Sequence, residues 1–125
     1  MHTFKRLAAA VALVVTAGPL AAQQGVTDTS VSFAQVAALE GPAAALGTGM
    51  RQGLMAAFEE ANRAGGVFGR QITLTSYDDG YEPDRSAEQT RMILENDDYL
   101  ALVGPVGTPT TKATQPMATE ANMPM

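Results

Sequence analysis

Residues 102–111, LVGPVGTPTT, are the part of the sequence best suited to binding chemistry. A short apolar run ends at a glycine-rich loop, and Thr108 and Pro109 follow the loop. Threonine is a good helix N-cap and proline is favoured at the first helical position, so we predict that Thr108 caps a helix. A helix N-terminus behind a glycine-rich loop presents free N–H groups and a positive dipole end. The segment therefore suits an anion.

A second candidate is the glycine-rich segment 47–53, GTGMRQG. Its G-x-G-x-x-x-G spacing, with Asp78 and Asp79 ending the next predicted strand, is close to that of a dinucleotide site. In that fold the glycines form the turn itself, whereas Gly47 and Gly49 already lie on a predicted helix. The spacing also has one residue too many. We therefore favour close packing of a helix on a sheet as the reason for these glycines.

The acidic pair Asp78-Asp79 admits two interpretations. Paired carboxylates at the carboxyl end of a parallel strand could hold a cation or accept a phosphoryl group. Asp, Gly and Glu-Pro are also ordinary turn residues before a helix that begins at Pro83. No third oxygen ligand is apparent nearby, so we favour the turn and expect no metal site.

Residues 1–22 have the layout of a secretory signal. Lys5 and Arg6 precede a short apolar run, and small residues lead to Ala22, after which we predict cleavage. The run is too short to span a bilayer, so we prefer this interpretation to a membrane anchor, and also to a buried helix. The signal predicts export, with residues 23–125 as the folded part.

Composition excludes several classes of function. The chain has no cysteine, which excludes disulfides, a thiol nucleophile and a lipidated-cysteine anchor, and its one histidine is His2 in the predicted signal. No histidine then remains for zinc or a catalytic triad, and we expect neither enzyme activity nor a cofactor. Without the signal, six basic residues face thirteen acidic ones, a net charge of −7. An acidic exported chain is a poor partner for nucleic acid.

The secondary-structure elements that carry these residues alternate between strand and helix. Periodicity and turn residues predict strands over 31–39, 71–78 and 100–103, and helices over 44–64, from 83 to about 96, and over 108–121. This order, without hairpin signals, predicts an α/β fold with a doubly wound parallel sheet. Residues 122–125 look like the start of a fourth strand. We therefore expect residues 23–125 to be the beginning of a larger protein.

Several stretches, in order, resemble the leucine/isoleucine/valine-binding type of periplasmic protein. The matching features are Gly41-Pro42 with Gly47, the run from Asn62 through Gly65-Gly66-Val67 to Gly69-Arg70, Asp78-Asp79 with Pro83, and LVGPVGTPTT. Members of this family, the type 1 periplasmic binding proteins, are solute receptors of ATP-binding-cassette (ABC) importers. Their two α/β lobes close on a small solute. The resemblance implies that this chain holds part of the amino-terminal lobe.

The resemblance also implies a site. It places the hydroxyl that meets a ligand carboxylate on Thr108, pocket-lining residues on Val106 and Gly107, and an apolar contact on Leu46. The implied partners are an amino acid or a related small carboxylate and the membrane permease of the importer. Glu40 departs from the family, in which a small polar residue is common, and Leu46 is apolar where relatives often carry an aromatic residue. The resemblance does not identify the solute: aliphatic amino acids, aromatic acids and short amides all stay open.

Two other functions stay open at this point. An exported ligand-sensing domain of the same fold would feed a signalling protein instead of a permease. A nucleotide-dependent enzyme of the Rossmann type would use the glycine segment. The sequence downstream separates importer from sensor, because a sensor should carry a transmembrane helix, and titration with nucleotides tests the enzyme.

Overall fold

The computed structural model describes residues 23–125, and the predicted signal lies outside them. Six elements alternate along the described chain: β1 (Ser30–Ala37), α1 (Ala44–Arg63), β2 (Gln71–Asp78), α2 (Pro83–Leu94), β3 (Ala101–Leu102) and α3 (Thr108–Glu120). The order of elements confirms the predicted α/β class. Among these residues no helix has the length and apolar character needed to cross a membrane.

The three strands form one parallel sheet, as predicted, and lie in the order β2-β1-β3. β1 pairs with β2 along its whole length, from Ser30 opposite Gln71 to Ala37 opposite Asp78. β3 pairs with β1 through two residues only, opposite Phe33 and Ala34. The central position of β1 means that its side chains must fill a core on each face of the sheet.

Alternate residues of β1 build those two cores. Ala34 and Val36 belong to a buried cluster with Ile93 of α2, together with residues of β3, α3 and the chain beyond it. Phe33 points to the opposite face, as successive strand residues do, and packs against Phe58 of α1 with ring centroids 5.5 Å apart. Thus α1 covers one face of the sheet, and α2 and α3 cover the other.

The glycines of α1 do not all serve packing. A Cβ on Gly47 would overlap the carbonyl oxygen of Ala38, so only glycine lets α1 approach the chain at this point. A Cβ on Gly49 or Gly53 would meet nothing within 4 Å among the described residues. The packing prediction is therefore confirmed for Gly47 and wrong for Gly49 and Gly53, because sequence spacing did not show which glycine faces the sheet.

The chain beyond α1 and the chain beyond α3 both follow the predictions made for them. Gly65 and Gly66 follow α1 with φ of 107° and 74°, and the Gly66 N–H donates to the carbonyl of Ala61 at 2.9 Å. This is the expected left-handed glycine termination. Beyond α3 the chain returns to the sheet, where the N–H of Leu102 donates to the carbonyl of Pro124 at 2.9 Å. The last residues thus begin alongside β3, as the start of a fourth strand would.

Candidate functional site

Because the strands are parallel, their carboxyl ends meet along one edge of the sheet, where open α/β folds bind ligands. We call this region the carboxyl edge; it consists of the three connections that leave the strands, residues 38–43, 79–82 and 103–107, with the first turns of α1 and α3. All four predicted site residues lie there. Val106, Gly107 and Thr108 follow β3, and Leu46, which is 52 % exposed, lies in the first turn of α1.

The N-cap of α3 is Gly107, not Thr108. Gly107 has φ 105° and ψ 130°, a conformation that a residue with a Cβ rarely adopts, and no side chain caps the helix. The prediction that Thr108 is the cap was wrong by one residue, because the glycine makes the turn and Thr108 is already helical. Thr108 is exposed at the first helical position, and Pro109 follows it.

This start leaves several N–H groups of α3 without a helical partner. The Thr111 N–H donates to the Gly107 carbonyl at 2.9 Å, which is the first bond of the helix. The N–H groups of Gly107, Thr108 and Thr110 precede that bond and cannot be satisfied inside the helix. Pro109 carries no N–H. The amino-terminal end of α3 can therefore donate three backbone hydrogen bonds to an anion at the carboxyl edge.

Buried side chains hold the loop before α3. The Thr110 hydroxyl lies 2.8 Å from the carbonyl oxygen of Val106 and 2.9 Å from that of Gly107, and donates back into the loop. Gln35, fully buried in β1, donates to the Gly104 carbonyl at 3.0 Å and accepts a hydrogen bond from the Ser76 hydroxyl at 2.9 Å. Both ends of the loop are thus attached to the sheet or to α3.

The ring of Tyr81, in the β2–α2 turn, lies against Gly107. A Cβ on Gly107 would be 2.5 Å from Cε2 of Tyr81 and 2.8 Å from the hydroxyl oxygen of Thr110. Sequence reasoning missed Tyr81, because the contact joins two turns through tertiary structure. The only signal in the sequence was its place in the turn after the acidic pair.

Asp78 joins the end of β2 to the end of β1. Its Oδ1 accepts hydrogen bonds from the N–H groups of Leu39 at 2.7 Å, Glu40 at 3.1 Å and Gly80 at 3.1 Å, and its Oδ2 lies 2.8 Å from a guanidinium nitrogen of Arg85. Burial opposes ionisation, but these hydrogen bonds outweigh it and hold the pKa of Asp78 below its usual value.

The Asp78 contacts also explain why β1 is shorter than predicted. The prediction extended β1 to residue 39, but the strand ends at Ala37 because the next free N–H groups turn to the Asp78 carboxylate instead of a neighbouring strand.

Asp79 organises the β2–α2 turn from inside. The side chain is fully buried; its Oδ1 accepts the Tyr81 N–H at 2.8 Å, and its Oδ2 accepts the Ser86 hydroxyl hydrogen at 2.7 Å. Both acids of the pair are therefore parts of a turn, the interpretation favoured from the sequence. Within residues 23–125 no three carboxylates or imidazoles gather as metal ligands would.

Two cavities of the described chain lie away from the carboxyl edge. One of about 570 Å³ lies at the amino ends of the strands, where Thr27, Asp97 and Tyr99 are among its lining residues. Another of about 110 Å³ lies between α1 and β2, lined in part by Phe58 and Leu74. At the carboxyl edge, Glu40, Leu46 and Thr108 are exposed.

A family model described as "Periplasmic binding protein" matches residues 30–125. The chain is 30% identical over 104 residues to the Leu/Ile/Val-binding protein BraC3 of Rhizobium johnstonii, an alignment that covers 83% of this chain and 26% of the relative. It is 33% identical over 96 residues to the chemotactic signal transduction system substrate-binding protein BasB of Halobacterium salinarum, covering 74% of this chain and 23% of that protein.

A solved structure shares the fold. It is the branched-chain amino acid transporter substrate binding protein LivJ of Streptococcus pneumoniae in complex with isoleucine, with a TM-score of 0.72 and 30% sequence identity. The match covers 77% of this chain and 28% of that one, so the chain spans about a quarter of the length of the proteins it matches. By fold and by sequence, this chain belongs to the periplasmic binding protein family.

Proposed function

We propose that this chain supplies the amino-terminal part of a solute-binding protein of an ABC importer. The protein binds an aliphatic amino acid by its carboxylate between this lobe and a second one. The observation that carries the proposal is the start of α3, where the N–H groups of Gly107, Thr108 and Thr110 face no helical acceptor at the carboxyl edge. Relatives named Leu/Ile/Val-binding protein and LivJ with isoleucine support the solute class.

The chemistry of the edge suits an amino acid with an apolar side chain. The positive end of the α3 dipole attracts the carboxylate, and the exposed Thr108 hydroxyl can donate a further hydrogen bond. Leu46 and Val106 offer apolar surface beside it. Glu40, exposed on the β1–α1 connection, is an acid near the same edge that suits the ligand's amino group.

In this account no covalent bond changes. Binding and closure of the two lobes are the whole mechanism, and the closed protein delivers its solute to a membrane permease. The free energy of binding comes from contacts on both lobes, so the described lobe supplies the anion site and part of the apolar wall. The predicted signal would bring the protein to the periplasm after cleavage following Ala22.

Calorimetric titration of the full-length protein tests the proposal. Leucine, isoleucine and valine should bind, and leucinamide, which lacks the carboxylate, should bind at least about tenfold more weakly because it loses hydrogen bonds to a charged group. If leucinamide bound as tightly as leucine, the proposed recognition of the carboxylate would be wrong. Failure of all the amino acids to bind would refute the solute class.

A second candidate, a chemotaxis receptor, is favoured by one observation, the similarity to BasB. The solute site would be the same and the partner would be a signal transducer instead of a permease. Deletion of the gene distinguishes the two. An importer component predicts loss of uptake of labelled amino acid with chemotaxis intact, and a sensor component predicts the reverse.

A further inference from the structure

We propose that Tyr81 is a positioning residue for the anion site: its ring holds Gly107 in place and thereby fixes the N–H groups at the start of α3. This inference rests on the proposed function and deepens it, because it assigns part of the site to the β2–α2 turn. Tyr81 itself need not touch the solute.

The ring of Tyr81 is in direct contact with Gly107. Without a side chain, Gly107 has wide conformational freedom, and its φ of 105° must be selected by its surroundings. The Tyr81 ring occupies the space where a Cβ would stand, 2.5 Å away at Cε2 and 2.9 Å at Cζ. The Thr110 hydroxyl oxygen lies 2.8 Å from the same position. Gly107 is therefore packed against an aromatic ring and a buried threonine.

The backbone of Tyr81 is strained. Its φ of 69° is a left-handed conformation that a bulky side chain rarely adopts. The fully buried Asp79 maintains it by accepting the Tyr81 N–H, while the Ser86 hydroxyl holds the other carboxylate oxygen. A buried carboxylate thus stabilises a strained backbone that directs the ring at Gly107.

The ring of Tyr81, and not its hydroxyl, makes the contact with Gly107. No hydrogen bond joins its hydroxyl to another residue of the described chain, so the ring makes the contact. Loss of the ring would leave the Gly107 backbone to be ordered when the solute binds. Ordering at the moment of binding weakens affinity. The effect should appear in the dissociation constant more than in stability.

Three variants of the full-length protein test this. Tyr81→Phe keeps the ring and should bind leucine as the parent does. Tyr81→Asn removes the ring with a residue that tolerates positive φ, so its melting temperature should stay close to that of the parent. Its dissociation constant for leucine should rise about tenfold. Tyr99→Ala is the matched control: it removes an aromatic ring that pairs with Tyr77 away from the carboxyl edge, and should lower stability without weakening binding.

Hydrogen exchange in the solute-free protein gives a readout that does not need a ligand. The Thr111 N–H, bonded to the Gly107 carbonyl, should exchange faster in Tyr81→Asn than in the parent or in Tyr81→Phe. Unchanged affinity together with unchanged exchange in Tyr81→Asn overturns the inference. A parent protein that binds no amino acid would instead overturn the proposed function, and the exchange at Thr111 would still decide the role of Tyr81.

Discussion

The Asp78 carboxylate collects hydrogen bonds of unequal worth. Three come from backbone N–H groups at the ends of β1 and β2, and one comes from Arg85, whose side chain is 50% exposed. Hydrogen bonds to a charged group are worth about 1.5–3 kcal/mol, whereas exposed ion pairs contribute about 0–1 kcal/mol. The backbone bonds therefore decide the contribution of Asp78 to stability.

We expect Asp78→Ala to lower the free energy of unfolding at neutral pH by about 1.5–3 kcal/mol, and Arg85→Ala by less than about 1 kcal/mol. Asp78→Asn should lie between the parent and Asp78→Ala, because the amide oxygen still accepts backbone N–H groups. Urea unfolding of the three variants measures this. An Arg85→Ala loss equal to that of Asp78→Ala would contradict the order.

The stability from Asp78 should depend on pH in one direction. Because its pKa is lower in the folded than in the unfolded state, the contribution is present above the unfolded value of about 3.9 and is lost as pH falls through the folded value. The difference between parent and Asp78→Ala should hence be constant near neutral pH and shrink in acid below about pH 4. A difference that stays constant in acid would show that the charge of Asp78 contributes nothing.

Gly47 provides a test of close packing. Gly47→Ala should destabilise the protein by about 1–3 kcal/mol, because the new methyl overlaps the Ala38 carbonyl and forces α1 to shift. Gly53→Ala is the matched control on the same helix, and should stabilise by about 0.5–1 kcal/mol because its methyl meets nothing nearby. Thermal unfolding of both variants is the measurement, and equal effects would contradict the assignment.

At the scale of elements, the side chain of Asn62 in α1 forms two hydrogen bonds with the edge strand β2. Asn62 accepts the Ile72 N–H at 2.7 Å with its Oδ1 and donates its Nδ2–H to the Ile72 carbonyl at 2.8 Å. We expect Asn62→Ala to cost about 1–3 kcal/mol of unfolding free energy, since both backbone groups lose their partner. Asn62→Asp, which keeps only the acceptor, should also destabilise. Native-state hydrogen exchange at Ile72 checks the contact, and an unchanged rate would refute it.

The boundaries of an element were predictable where nearby residues determine where the element begins and ends. β2 matches residues 71–78 as predicted, and α2 begins at Pro83, because alternation and proline act within a few residues. The end of β1 was not predictable, since the Asp78 carboxylate that takes its N–H groups lies far along the chain. The shift of the α3 cap to Gly107 depends on a φ angle that the sequence does not display.

At the scale of the molecule, the parallel sheet follows from the order of elements and the absence of hairpin signals, and it places Leu46, Val106, Gly107 and Thr108 at one edge. Those topological rules were enough to predict most of the fold. They could not give the packing of Tyr81 on Gly107, which depends on how two turns meet. The roles proposed for the four site residues also depend on the second lobe that we propose, and they stay predictions.

At Thr108, the binding of a solute carboxylate at the start of α3 can be separated experimentally from the stability of the helix. Thr108 is exposed and does not cap the helix, so its replacement should affect stability little. An aspartate near a helix N-terminus stabilises by about 0.3–1 kcal/mol, yet it would repel a carboxylate bound there.

The most direct measurement is calorimetric titration of leucine into full-length protein carrying Thr108→Asp, beside Thr108→Ser and the parent. We predict that Thr108→Ser binds as the parent does, because it keeps the hydroxyl. Thr108→Asp should keep or raise the melting temperature and lose measurable affinity. A Thr108→Asp protein that binds leucine as tightly as the parent would contradict the claim that the ligand's carboxylate lies at the start of α3.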